Sequence, residues 1–203
     1  MSDAAIHILG VLWGVIAAAA MLRYSALWRH EPAVVMGAMV YAACLITMLS
    51  ASAAYHLTPW EAWKDPLRRL DHSAIYIKIA GTYTPFALLA GSGALFLAGM
   101  WTAALAGMML KIFVPGRFRN LGLLLYLGMG WFGVLLGGDL LTSLTTTGFS
   151  LMLVGGLIYS VGVVFFLWET LPFNTPIWHA HVLVATILLY GAVLVEISDV
   201  PLL

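Results

Sequence analysis

Cutting the chain at its charges, prolines and glycines leaves seven apolar stretches. They run over Ala4–Leu22, Ala33–Tyr55, Ser73–Ala90, Ala94–Ile112, Leu121–Leu136, Phe149–Leu167 and Pro176–Val195. A helix needs roughly 20 mostly apolar residues to cross a bilayer. The third and fifth stretches run short, and the Gly91-Ser-Gly93 turn between the third and fourth is tight. The pattern predicts an all-α polytopic membrane protein, a seven-helix bundle. Residues 1–203 are expected to form one transmembrane domain with no room for a soluble one.

Composition sharpens this reading. Hydrophobic residues make up 63% of the chain and charged ones 9%, with a mean hydropathy of +1.00. A soluble domain carries about a quarter charged residues, so a soluble protein, a disordered one, a collagen and a coiled coil are all excluded. Nine Lys and Arg balance nine Asp and Glu, which gives no basic surface for nucleic acid and no acidic tail. The single cysteine, Cys44, excludes a disulfide framework and a cysteine-rich metal site. The first stretch has no positive segment before it and no clean cleavage site, so it is expected to stay as a helix rather than act as a signal peptide. Lys64, Arg68 and Arg69 follow the second stretch, and Lys111, Arg117 and Arg119 follow the fourth. With seven spans these six share a side with the N-terminus, against Arg23 and Arg29 opposite. The positive-inside rule then puts the N-terminus in the cytoplasm and the C-terminus outside.

Ionisable residues in or beside a span are costly and therefore mark functional sites. His56 closes the second span, Asp71 opens the third, and His179 and His181 lie in the first turns of the seventh. All four fall in the cytoplasmic leaflet. Two or three imidazoles and a carboxylate, without a thiolate, suit a catalytic zinc site with an open position. Ser52 stands one turn deeper than His56 on the same helical face. The plainer reading is that such residues anchor helices at the headgroups and that Asp71 caps the third helix. Spacing by itself is a weak signal, because no HExxH or CxxC pattern is present. His7 lies early in the first span, His30 in a loop beside Arg29 and Glu31, and His72 points about 100° away from Asp71. Lys78 lies on the face of Asp71 but about 10 Å deeper. Asp139 belongs to the opposite side. Trp and Tyr fall near the span ends as an aromatic belt. Gly128/Gly130, Gly155/Gly156 and Gly162 are expected to let helices pack closely.

Several segments resemble the hemolysin III family. These are Ser52-Ala-Ala-Tyr-His56, Arg68-Arg-Leu-Asp-His-Ser-Ala-Ile-Tyr76 and Ile79-Ala-Gly-Thr-Tyr-Thr-Pro-Phe86. Further on come Lys111-Ile-Phe113, Tyr126-Leu-Gly-Met-Gly-Trp131, Gly155-Gly-Leu-Ile-Tyr159 and Ile177-Trp-His179, with a looser echo in Ile6-His-Ile-Leu-Gly10. That family is grouped with the progestin and adipoQ receptors and is related to alkaline ceramidases. The resemblance implies a seven-helix bundle with a zinc ion near the cytoplasmic face of a bacterial inner membrane. It places the family's serine, histidine and aspartate on Ser52, His56 and Asp71. Of two metal histidines four apart on the last helix, the second falls on His179 and the first on Thr175, a departure. Thr175-Pro176 reads instead as a helix cap and first helical residue, and His181, about 200° around the helix, is no easy substitute. Leu189 stands where many relatives carry a histidine, and Lys78 where the family is apolar.

Two functions follow from these readings. In the first, zinc held by His56, His179 and Asp71 serves a hydrolase of a lipid amide or ester, with Ser52 and Asp71 assisting and membrane lipids as partners. Asp71 in this scheme is either a ligand or a general base off the metal. In the second, the protein is a hemolysin-like channel or a membrane-homeostasis protein without enzymatic activity, although no span shows the continuous polar lining a pore needs.

Overall fold

A computed structural model describes residues 3–29, 31–91, 93–114, 119–136 and 138–199, apart from the side chains of residues 28, 119, 120, 136, 139 and 199. The described residues form helices and no strand. The helices are α1 (Asp3–Trp28), α2 (Pro32–Leu57), α3 (Glu61–Leu89), α4 (Ala94–Phe113), α5 (Arg119–Leu136), α6 (Asp139–Thr142), α7 (Thr146–Leu167) and α8 (Asn174–Asp199). Each of the seven apolar stretches lies in a long helix. The short α6 occupies the connection between the fifth and sixth.

The ends differ from the sequence expectation where polar residues continue a helix. α1 runs on to Trp28 rather than stopping at Leu22, and the Arg29 N–H closes its last turn on the Ser25 carbonyl at 3.1 Å. α2 opens with Pro32 after an extended Glu31, the position where a missing N–H costs nothing. α3 starts at Glu61 instead of Ser73. The segment with Lys64, Arg68 and Arg69 is therefore helix, not loop, and only Thr58–Trp60 separate α2 from α3. A helical turn outside the bilayer needs no apolar residues, so hydropathy could not have found it.

Sequential helices pack against one another, and α1 meets α8 to close the ring. α3 lies inside and touches α2, α4, α5 and α8. From Ser73 to Ala87 most of its residues are buried. The α2–α3 contact is close enough that a Cβ on Gly37 would stand 2.8 Å from the Pro85 Cα, and one on Gly81 2.5 Å from the Cys44 sulfur. Gly155 and Gly162 likewise face packed side chains, Leu189 and Trp178 respectively. Gly128 and Gly130 do not: among the described residues nothing lies within 4 Å of a Cβ added there, so the expected close packing at that pair is corrected.

The outer surface is apolar, with Leu95 86%, Leu135 75% and Ile16 69% exposed. Such a surface needs lipid around it. By length and composition α1, α2, α4, α7 and α8 can each cross a membrane. α5 contributes a shorter apolar stretch, Leu121–Leu135, and α3 carries Asp71 and Lys78 within the bundle while its other charges stand in its first turns. The protein is an all-α polytopic membrane protein.

Candidate metal centre

The site is assembled at the end of the bundle where α1 begins and α2 ends. Asp3 and His7 are one turn apart on α1 and therefore share a face. The α1 N-terminus also favours the Asp3 carboxylate through the helix dipole. His56 reaches the same point from the last turn of α2, and His179 from the first turns of α8. Asp3 sits in the middle. Its Oδ1 is 2.6 Å from His179 Nδ1, and its Oδ2 is 3.4 Å from His56 Nδ1 and 3.5 Å from His7 Nε2. The three imidazoles touch one another. The His7 and His56 rings stack at 4.7 Å between centroids, and His179 stands 4.5 Å from His7 and 4.4 Å from His56. One ligand atom from each of Asp3, His7, His56 and His179 lies within 4.8 Å of the others.

These residues fit a metal ion. His7 Nε2 is buried and has no hydrogen-bond partner, an arrangement that is costly unless something else satisfies it. Three imidazoles and one carboxylate form a nitrogen and oxygen donor set of the kind zinc takes.

Asp71 and Ser52 stand beside the four. Asp71 Oδ2 is 3.9 Å from His56 Nε2, and the Ser52 hydroxyl, on α2, stands close enough to interact with the Asp71 carboxylate. All these residues except Asp3 line one cavity of about 480 Å³, whose walls include Ile6, Leu183 and Tyr126 and whose rim carries Arg68, Arg69 and Lys111. Thr175 lines it too. It does not cap α8: the helix begins at Asn174, whose Oδ1 accepts from the Thr175 N–H at 2.8 Å. The Phe173 carbonyl takes the first helical bond, from Ile177 at 3.0 Å.

The other candidates lie elsewhere. His181 turns away, its Nδ1 2.8 Å from the Ile177 carbonyl and its ring against Phe165. His72 is exposed at the cavity rim, and Leu189 packs against Gly155. His30 and the Asp139 side chain lie outside the described residues. Asp3 and His7 are the members that sequence reasoning missed. The signal was available, because the argument that collected His56 and His179 into one leaflet applies equally to the first turns of the first span.

The chain matches the model of the family described as "Haemolysin-III related" over residues 1–190. It is 37% identical to "Hemolysin-3 homolog" of Bacillus subtilis (strain 168), across 100% of this chain and 96% of that one. It is 50% identical to "Hemolysin-3" of Bacillus cereus over 62% of this chain and 58% of that relative. A human protein, "Monocyte to macrophage differentiation factor", is 30% identical across 77% of this chain and 68% of its own. No solved structure matches. A polytopic helical bundle with these motifs and a match along nearly the whole Bacillus subtilis relative belongs to the haemolysin III-related family.

Proposed function

We propose that the protein is a zinc-dependent hydrolase of a lipid amide or ester at the cytoplasmic leaflet of the bacterial inner membrane. The observation that supports this most is the gathering of three imidazoles and a carboxylate, from three helices, with the imidazoles lining a cavity walled partly by apolar side chains. His7, His56, His179 and Asp3 would hold the ion. His7 thereby supplies from α1 the imidazole that Thr175 does not supply from α8. A zinc ion bound there polarises a carbonyl and lowers the pKa of a coordinated water toward about 7.

The chain's own residues do the rest. Asp71, beside the Ser52 hydroxyl and facing the outer nitrogen of His56, takes the proton of the attacking water as general base. Ser52 keeps that carboxylate turned into the cavity. Ile6, Met48 and Leu183 give the acyl chain an apolar wall, and the arginines at the rim face the headgroups. The deciding experiment measures zinc in the purified protein together with release of fatty acid from lipid amides and esters. Wild type is expected to carry about one zinc per chain and to hydrolyse one of these lipids, and His56→Ala to do neither. A metal-free wild type that folds and inserts would remove the proposal.

The printed name of the Bacillus relatives supports a second reading, a protein that permeabilises membranes. Ion flux in reconstituted vesicles that survives both a chelator and His56→Ala would favour it.

A further inference from the structure

Below the metal centre, α3 carries a cation that the hydrolytic chemistry does not use. Lys78 is 2% exposed and lies two turns, about 10 Å, deeper than Asp71 on the same face. Its Nζ donates to Thr82 Oγ1 at 2.7 Å and stands 4.2 Å over the Tyr41 ring. The Thr82 hydroxyl hydrogen is already committed to the Lys78 carbonyl, also at 2.7 Å. Among the described residues no carboxylate pairs with this lysine. An ammonium has three N–H donors, so the group retains donor capacity in a place where an unsatisfied donor is expensive. A cation at membrane depth is also costly enough to mark a site rather than a packing choice.

Lys78 and Thr82 line a second cavity of about 80 Å³ whose other walls include Met152, Leu189 and Trp131. Its remaining polar groups are already occupied. Ser160 accepts from Trp131 Nε1 at 3.0 Å and donates to the Gly156 carbonyl, while Tyr159 pairs with Thr186. Ile75 and Tyr126 line both this cavity and the one at the metal centre. The two cavities are therefore neighbours across these two side chains, and an aliphatic chain that reached past them would meet, among the described residues, Lys78 as the polar group with donors to spare.

We infer that Lys78, held by Thr82, donates a hydrogen bond to an oxygen carried partway along the aliphatic chain of the bound lipid. The preferred ligand is a mid-chain hydroxylated acyl lipid rather than a plain saturated one. This rests on the proposed lipid-binding role of the metal-centre cavity and adds a chain specificity to it.

Binding, without turnover, tests it. The full-length protein is placed in phosphatidylcholine nanodiscs and titrated with stearate dibrominated at mid-chain, a quencher of tryptophan fluorescence. The Trp131 contribution is identified by comparison with Trp131→Phe. Plain stearate and stearate bearing a mid-chain hydroxyl then compete. The hydroxylated acid is expected to displace the quencher at a concentration about tenfold lower, the scale of one charge-assisted hydrogen bond. Lys78→Met should erase that difference, and Thr82→Val should weaken it in a background that keeps the lysine. Equal displacement by the two acids, a preference that survives Lys78→Met, or absence of quenching at Trp131 overturns the inference. Measuring hydrolysis beside the titration in the wild type separates the two proposals: a chain preference without any hydrolysis defeats the hydrolase alone, and hydrolysis without a preference defeats this inference alone.

Discussion

His7 and Thr175 are best understood as a pair. Thr175 lines the cavity from α8 without an imidazole, and His7 brings one in from α1 with a buried Nε2 that makes no hydrogen bond and only approaches Asp3 at 3.5 Å. If the second compensates for the first, His7→Ala should lose zinc as fully as His56→Ala, read by metal analysis of the purified variants. Adding Thr175→His to His7→Ala should then restore it, because the new imidazole would stand one turn from His179 on the same helical face. Failure of the double variant to regain metal would separate the two positions. Asp71 and Ser52 predict a different signature. Asp71→Asn should keep zinc and lower hydrolysis by about 10²–10⁴-fold, the usual range for a general base. Ser52→Ala, which only frees that carboxylate, should cost about 10–100-fold. Loss of metal in Asp71→Asn would make it a ligand instead. These roles were unevenly legible in the chain. His56 and His179 announce themselves as ionisable residues at span ends. Asp3 and His7 escape that reading because a histidine early in an apolar stretch looks like packing until two other helices are known to converge on it.

At the scale of the element, α3 explains both what hydropathy reads and what it cannot. A helix surrounded by protein has no lipid-facing side, so Asp71, Lys78, Thr82 and Thr84 lower its hydropathy without making it less a part of the bundle. The same burial lets its neighbours come close, and close approach has a measurable cost. A methyl on Gly37 meets the Pro85 backbone, which cannot swing aside. Gly37→Ala should therefore destabilise the protein by about 1–3 kcal/mol, the cost of overpacking. Gly128→Ala meets nothing within 4 Å among the described residues. On an exposed face of α5 it should be neutral or gain up to about 1 kcal/mol from helix propensity. Thermal unfolding in detergent compares the pair directly, and an equal loss in both would mean that α2–α3 proximity is not what matters. Glycine spacing by itself could not tell these two positions apart, because the period that places a glycine on a helix does not say which face meets a neighbour. The helical start of α3 at Glu61 was hidden for a related reason: amphipathic turns beyond the bilayer carry charges that look like a loop.

The whole bundle is a ring, and its two ends are closed by different means. At the far end α8 is tied through hydrogen bonds within the protein. Glu196 Oε1 accepts from the Thr145 N–H at 3.0 Å and from its hydroxyl at 2.7 Å, which holds the start of α7, and Arg29 donates to the Ser198 carbonyl, which holds the end of α1. At the metal-centre end α1, α2 and α8 are brought together by four groups that share one small volume. An ion bound to all four would join α1, α2 and α8 at an end of the bundle where no connection links them to one another. A ligand that binds only the folded state stabilises it by about 4 kcal/mol at a thousandfold excess over its dissociation constant. Chelation should therefore lower the unfolding temperature of the wild type in detergent and leave that of His56→Ala unchanged. Hydrogen exchange localises the effect. Metal removal should speed exchange in the first turns of α1 and α8, while the Thr145–Glu196 end keeps its protection because its bonds owe nothing to the ion. Uniform acceleration at both ends would make the ion a global stabiliser rather than a clasp on one side of the ring. No change at either end would mean that the four groups fold together without it.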